Sequence, residues 1–513
     1  MMTSPRKNLP IGIQNLREIR EEDYYYVDKT AFACQLYAAG KYYFISRPRR
    51  FGKSLFVDTL KELFEGNRKL FAGLHAENHW DWSKTHPVIR ISFGEGKLDS
   101  REQLREKILE ILRKAQEDFG ITCVNKSISG IFMELIEGCH KKHGRTAVVL
   151  VDEYDKPILD NISNPEVAAQ MREGLKDLYS VLKGADPHLR FVFVTGVSKF
   201  SKVSLFSGLN NLKDITLDPR TSAICGYTES DLDEVFAPEL PGLDREEIRR
   251  WYNGYNWTGE AVYNPFDLLL FFDSHQFKPW WYETGNPSFL LELLRERNTF
   301  LPDLSQLVTG EALLSTFDVG NIAVEALLFQ AGYLTIHGHL RQANKSFYRL
   351  GYPNLEVFQS LNDALFLDWT PPETRSYQPK LYPLLRQRDA EGVGRVMRAF
   401  FASIPHQWVS NNPIARYEGY YASVFFAFFA SLGLDIRVEE SSSAGRLDMA
   451  VIHEGLCWVF EFKVVEGEAE GTALAQIRER GYDRPHREAG LEVICVGVEF
   501  SKAKRQIVAW DIG

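Results

Sequence analysis

Three side chains near the end of the chain stand where two neighbouring strands could bring them together. Asp448 lies in the run Arg446–His453 (RLDMAVIH), and Glu461 and Lys463 lie in Leu456–Val465 (LCWVFEFKVV). Alternation along the second run puts Cys457, Val459, Glu461 and Lys463 on one face and Trp458, Phe460, Phe462 and Val464 on the other. A hairpin turning at Glu454-Gly455 sets residue 453 against 456; each further step keeps the index sum constant, and Asp448 falls opposite Glu461. Side chains opposed in this way have Cβ atoms about 4.5–5.5 Å apart. Two carboxylates at that range repel unless a proton or a cation sits between them. Oxygen ligands of this kind suit Mg2+, with Mn2+ as a substitute. Such an ion activates water and steadies charge on a phosphate under attack, while Lys463 can stabilise the negative charge that develops. The chemistry within reach of these three groups is phosphodiester hydrolysis.

A second constellation opens the chain. The short apolar strand Lys41–Ser46 runs into Arg47-Pro-Arg-Arg-Phe-Gly52-Lys53-Ser54, followed by a helical pattern from Lys53 to Phe64. Gly52-Lys53-Ser54 is the latter half of a P-loop. Arg50, Phe51 and Gly52 lead into a helix start whose amides cradle phosphate, Lys53 meets the β- and γ-phosphates, and Ser54 holds magnesium. Arg47 stands where the first glycine of GxxxxGKS belongs. About 100 residues later, Val148–Val151 is an apolar strand ending in Asp152 and Glu153. There Asp152 would hold magnesium through water and Glu153 would polarise an attacking water. The next buried strand, Phe191–Thr195, ends near Ser198 and Lys199, the place for a sensor polar group. ATP is the expected ligand.

These groups need elements to hold them. At 513 residues the chain is long enough for about two to four domains, and 44% hydrophobic with 25% charged residues is an ordinary globular balance. The first part alternates strands (Lys41–Ser46, Val88–Phe93, Thr146–Val151, Leu189–Thr195) with helices (about Arg101–Asp118, Ile128–Lys142 and 165–183), which predicts a mostly parallel sheet with helices on both faces. Thr228-Glu-Ser-Asp231 then opens a helix with a capping-box-like start. The stretch to about Gln407 reads as mainly helical and aromatic-rich (Trp251, Tyr252, Tyr255, Trp257, Trp280, Trp281). The last hundred residues run helix (Ile414–Leu432), three strands (Leu434–Glu440, Arg446–His453, Leu456–Val465), helix (Thr472–Tyr482) and two strands (Leu491–Val498, Arg505–Trp510). We therefore expect domains at 1–227, 228–407 and 408–513.

A formal charge of −9 gives no global attraction to nucleic acid, which argues against a polybasic binder but leaves room for a local positive groove. Six scattered cysteines without a CxxC pair exclude a disulfide framework and point to a reducing cytoplasm. No secretory signal follows Arg6 and Lys7. The most apolar run, Tyr420–Leu432, falls short of the roughly 20 residues that span a bilayer. No membrane partner is expected.

Asp448, twelve intervening residues and Glu461-Phe-Lys463, set in an αβββαβ succession, resemble the PD-(D/E)xK nuclease superfamily. That resemblance implies a metal-binding role for Glu418, the sole acid of the helix Ile414–Leu432. It also implies a Gln…Tyr helix motif at Gln476 and Tyr482. The segments RPRRFGKSL (47–55), VDEYDKP (151–157), TGVSKFS (195–201), FSGLNNL (206–212) and YNPF (263–266) extend the likeness. Over nearly its full length the chain resembles the bacterial AAA-ATPase-like family, whose members carry a C-terminal PD-(D/E)xK domain and commonly have the RPRRFGKS loop.

The implied fold class is α/β: a P-loop (AAA-like, ASCE) domain, a helical middle and a nuclease fold. The implied partners are ATP and nucleic acid, DNA ahead of RNA, with a suggested link to genome defence or mobile elements. Two functions stay open: an ATP-gated nuclease, or a nucleotide-dependent switch or scaffold that binds without cutting. Three smaller readings also stay open. Arg47, Arg49 and Arg50 contact phosphate or form a solvated loop. Arg220 acts as an arginine finger in a homo-oligomer or makes a surface pair. Trp251–Trp257 forms a base-stacking platform or core.

Overall fold

In the computed structural model the described residues are 6–199, 211–284, 288–297, 299–314, 323–342, 344–404, 420–438, 441–442, 445–446, 448–504 and 506–513. The strands β1 (Tyr42–Ser46), β2 (Val88–Ser92), β3 (Ala147–Asp152), β4 (Leu189–Gly196) and β5 (Lys213–Asp214) form one parallel sheet in the order β2-β3-β4-β1-β5. Every residue of β1 and β3 is buried, as continuous apolar runs require when helices cover both faces of a sheet. Those helices are α1 (Lys53–Glu65), α2 (Arg101–Phe119), α3 (Ile128–His143) and α4 (Pro165–Gly184). Serine and asparagine side chains at Ser100, Ser127 and Asn164 accept backbone N–H groups at the starts of the last three. β4 lies between β1 and β3, so the phosphate-loop strand and the acid-tipped strand are next-but-one neighbours.

The chain forms two compact units, Met1–Gly285 with Val308–Asn354, and Asn286–Leu307 with Leu355–Gly513. Residues 228–407 thus contribute to both. Thr228 and Asp231 make the reciprocal capping box read from the sequence. Besides helices, this stretch carries a three-stranded sheet of β6 (Leu307–Gly310), β7 (Thr335–Gln342) and β8 (Lys345–Gly351), in the order β6-β8-β7. The aromatic set turns inward: Tyr252, Tyr255 and Trp257 are buried, and Trp251 packs, partly buried, against the core cluster that holds Tyr252. This corrects the base-stacking alternative, since rings committed to a core present no free face.

The second unit holds the helix α5 (Tyr420–Ala430) and the strands β9 (Asp435–Val438), β10 (Met449–His453) and β11 (Leu456–Val465). After these come the helix α6 (Thr472–Arg480) and the strands β12 (Glu492–Ser501) and β13 (Gln506–Ile512). The sheet order is β13-β12-β11-β10-β9; β11 and β12 are parallel, joined through α6, and the other pairs are antiparallel. Glu454 and Gly455 both adopt positive φ, 47° and 79°, the conformation a two-residue primed hairpin turn demands. That turn pairs His453 with Leu456 and fixes every later pair to Met449–Phe460.

Phe425 of α5 meets Phe460 and Phe462 on one face of β11, with ring centroids 5.2 and 4.8 Å apart. Leu474 and Ile477 of α6 pack with Cys457 and Val459 on the other. Gly497 of β12 pairs with Glu461, and a Cβ there would lie 2.3 Å from the Leu474 backbone nitrogen, so only glycine lets α6 settle this close.

The start of α6 is held by Glu499, whose fully buried carboxylate accepts N–H groups of Glu470 (2.6 Å), Thr472 (2.6 Å) and Ala473 (3.3 Å). Burial alone would raise its pKa, but these backbone donors outweigh that and hold it below the ordinary glutamate value. Glu499→Gln is therefore expected to destabilise the second unit by about 1–3 kcal/mol near neutral pH. Because the folded pKa is depressed, this stabilisation is present above the unfolded glutamate pKa and fades as pH falls through the folded one. Denaturant unfolding of both proteins at pH 7 and under acid conditions checks the two statements, and equal stabilities at pH 7 would refute the first.

Candidate functional sites

The hairpin register carries the C-terminal acids together. One residue beyond the Met449–Phe460 pair, Asp448 stands across from Glu461. Half-buried Asp448 accepts the Phe462 N–H at 2.8 Å through Oδ2, which ties its carboxylate to the second strand. Glu461 is buried to 1% exposure. Its Oε1 accepts from Gln476 Nε2 of α6 and lies 3.7 Å from Lys463 Nζ. Its Oε2 is buried with no hydrogen-bond partner among the described residues. Burial first, and then the negative charge of Asp448, push the Glu461 pKa up to about 8, while Lys463 pulls the other way.

Asp448, Glu461, Lys463 and Gln476 thus converge at one place. Glu418 lies outside the described residues. Tyr482 is buried among Ala450, Cys457 and Ile477 and serves as core. No group of three or more His, Cys, Asp or Glu side chains gathers as a metal cage among the described residues. Two carboxylates, one with an orphaned oxygen, fit an ion such as Mg2+, which keeps most of its waters and takes one or two protein carboxylates.

In the first unit, Arg50 and Gly52 turn through positive φ, 67° and 85°, and deliver the chain into α1. Phe51 is buried edge-on against Tyr255, and Arg50 lies 4.8 Å over the Phe266 ring. Lys53 is buried and donates to the carbonyls of Arg47 (3.0 Å) and Pro48 (2.7 Å). Burial lowers its pKa, and Asp152 opposes this. Asp152 is buried with Oδ1 lacking a hydrogen-bond partner among the described residues. Glu153 follows at φ 52°, its pKa raised by burial and drawn back by Lys53. Gly52, Lys53, Ser54 and Glu153 line a cavity of about 410 Å³ whose apolar wall includes Tyr25, Tyr26, Tyr227 and Phe266. Its size and mixed lining fit a nucleotide.

Arg47 requires a correction. It contacts neither solvent nor the cavity: its guanidinium is buried, donates to the carbonyls of Ser46 (2.8 Å), Thr216 (3.0 Å), Thr221 (3.1 Å) and Ser222 (3.5 Å), and lies 4.0 Å over the Trp257 ring. Four carbonyls accept from its two terminal nitrogens and a ring lies over the cation, while Nε has no hydrogen-bond partner among the described residues. Arg49 is half exposed, 3.9 Å from Asp160. Arg220 is exposed and bonded to Asp218 at 2.5 Å.

The expected sensor groups are also engaged elsewhere. Ser198 donates to Asp155 through both its N–H (2.5 Å) and its hydroxyl (2.6 Å), and Lys199 pairs with Asp214. Sequence reasoning passed over Thr195, beside Ile45 of β1 and one residue beyond the Val151–Val194 pair. Its hydroxyl is buried without a hydrogen-bond partner among the described residues. The signal was available: a threonine closing an apolar strand.

Residues 10–206 match the family model described as "Predicted AAA-ATPase", and residues 416–510 match that of the PD-(D/E)XK nuclease superfamily. A protein of Azotobacter chroococcum mcd 1, named "Uncharacterized protein in vnfD 5'region", is 58% identical over 510 residues, spanning 99% of both chains. With both domain matches falling on the two sites just described, the chain belongs to the AAA-ATPase-like family that carries a C-terminal PD-(D/E)XK nuclease domain.

Proposed function

We propose that this chain is an ATP-binding nuclease, cutting phosphodiester bonds of DNA or RNA at Asp448, Glu461 and Lys463 and binding and hydrolysing ATP at the Lys53 loop. The observation that carries the first half is the meeting of Asp448 and Glu461, with Lys463 Nζ 3.7 Å from Glu461 Oε1 and Gln476 bonded to that same oxygen. Asp448 and Glu461 would hold a divalent cation, which would supply Lewis acidity and an activated water. Gln476 and the Phe462 N–H hold the two carboxylates in place, and Lys463 offers positive charge where the phosphate gains negative charge. Cleavage of DNA or RNA in Mg2+ is the direct test. Asp448→Ala and Lys463→Ala are each expected to slow it by about 100-fold or more, and a rate that survives both changes would sink the assignment.

The raised Glu461 pKa gives the site a pH signature. The fold favours the protonated form, so stability is unaffected below the unfolded glutamate pKa and declines as pH rises toward about 8. Cation binding must displace that proton, so Mg2+ affinity rises with pH over the same window. Glu461→Gln is expected to melt higher than the parent above pH 8 without metal, and to gain nothing from added Mg2+. Thermal melts across pH, with and without Mg2+ and with no nucleotide present, read both effects. A parent melting curve indifferent to Mg2+ at pH 8 would count against the site.

For the first unit, Lys53, Ser54 and the helix start would hold the phosphates, Asp152 the accompanying magnesium, and Glu153 would orient and deprotonate water. Lys53→Ala is expected to abolish ATP binding in equilibrium dialysis. Glu153→Gln is expected to keep ATP binding and slow hydrolysis by roughly 100-fold or more. Unaltered ATP affinity in Lys53→Ala would end this half of the proposal.

A further inference from the structure

No Asp or Glu occurs between Glu325 and Glu356, in a chain whose net charge is −9. The β7–β8 hairpin lies inside that stretch and carries His337, His339, Arg341, Lys345 and Arg349. Arg341, Lys345 and Arg349 are exposed, and none makes an ion pair among the described residues. An acidic protein has many carboxylates with which to neutralise surface cations, so a concentrated, unneutralised set is a departure from its own average.

The register decides how these cations are presented. Arg341 pairs with Ser346 and His339 with Tyr348, which puts them on one face. Arg349 pairs with Gly338, Leu340 with Phe347 and Gln342 with Lys345, on the other. The ribbon therefore carries positive charge on both faces and beside its turn. An acid acts on this region at Tyr348, whose pKa is raised first by burial and then by Glu311; Tyr348 is itself buried, in the fourth row from the turn. β7 lies at the edge of its sheet and β8 is flanked on its other side by the four-residue β6; Leu340 beside the turn is 45% exposed.

A flat surface for a single strand would gather its cations on one face. Cations on both faces instead suit a ribbon lying between two phosphate backbones, as in a duplex groove. The major groove, about 12 Å wide, admits a two-stranded β-ribbon. We propose that the β7–β8 hairpin is a duplex-DNA contact, with Arg341 on one face and Lys345 and Arg349 on the other reaching opposite phosphate walls. This extends the nucleic-acid reading to a surface remote in sequence from Asp448 and Glu461. Binding is measured without cleavage, so an error at the cutting centre leaves this result intact.

The test is fluorescence anisotropy of the full chain with a labelled duplex oligonucleotide, in EDTA, across a salt series. The variant R341A/K345A/R349A is expected to lose at least about tenfold in affinity at low salt, and its slope of log affinity against log salt to flatten by about 2 to 3. The single variant Lys345→Ala should flatten it by about 1, and R341K/K345R/R349K should bind as the parent does. R101A/R105A/R113A removes equal charge from exposed positions of α2 and should leave binding unchanged. The proposal is overturned if the hairpin triple binds like the parent or no worse than the α2 control. It is equally overturned if the parent fails to bind duplex, or if the loss appears with single strands alone. Unchanged far-UV circular dichroism and ATP affinity verify that the triple is folded, and if it is not, the salt slope of Lys345→Ala decides the matter.

Discussion

A buried carboxylate governs the C-terminal fold. Glu461 sits in the central strand of its sheet, out of water, beside a second acid, with one oxygen lacking a hydrogen-bond partner among the described residues. Isolated, such a charge is among the most unfavourable things a fold can contain. The surrounding structure therefore has to be stable without it. The aromatic stack from α5 on one face of β11 and the aliphatic seat of α6 on the other provide that stability, while the Glu499 cap fixes the helix from which Gln476 reaches in. Strain at functional positions has to be compensated elsewhere in a structure, and here the compensation comes from the two helices packed on either face of β11.

The N-terminal site has a different economy. Its lysine and Asp152 are also buried, but the sheet order sets them at the ends of parallel strands, where α/β folds habitually leave room for ligands. The positive φ values of Arg50, Gly52 and Glu153 cluster around the cavity. Two of these three are not glycine, and such residues persist where their neighbours over-determine the backbone. Burial of Phe51 and the stacking of Arg50 on Phe266 are that over-determination.

Much of this was legible in the residues themselves. The Glu454-Gly455 turn fixes a register, and a period of two then dictates which side chains share a face; no long-range information is needed to set Asp448 against Glu461. Gly52-Lys53-Ser54 and the acid-tipped strand were legible for the same local reason. What sequence could not give was partnership across long separations. Arg47 reads as a loop cation, yet three of its four acceptors are some 170 residues away. Ser198 reads as a free sensor until Asp155 is seen to claim it. Trp257 reads as either stacking platform or core until Arg47 is found above it. The three-stranded sheet within an otherwise helical stretch was missed because β7 and β8 carry little alternation against which to measure a period of two.

The buried guanidinium of Arg47 also bears on how this loop can change over time. Glycine at that position would match the common phosphate-loop pattern but would orphan four carbonyl oxygens and open a hole above an indole. Lysine could reach but would lack the planar fork that spans several acceptors at once. Neither neighbouring path is downhill. A lineage that acquires this arginine is held by it, and its divergence from the standard motif marks commitment to another architecture, where a pattern search would register decay.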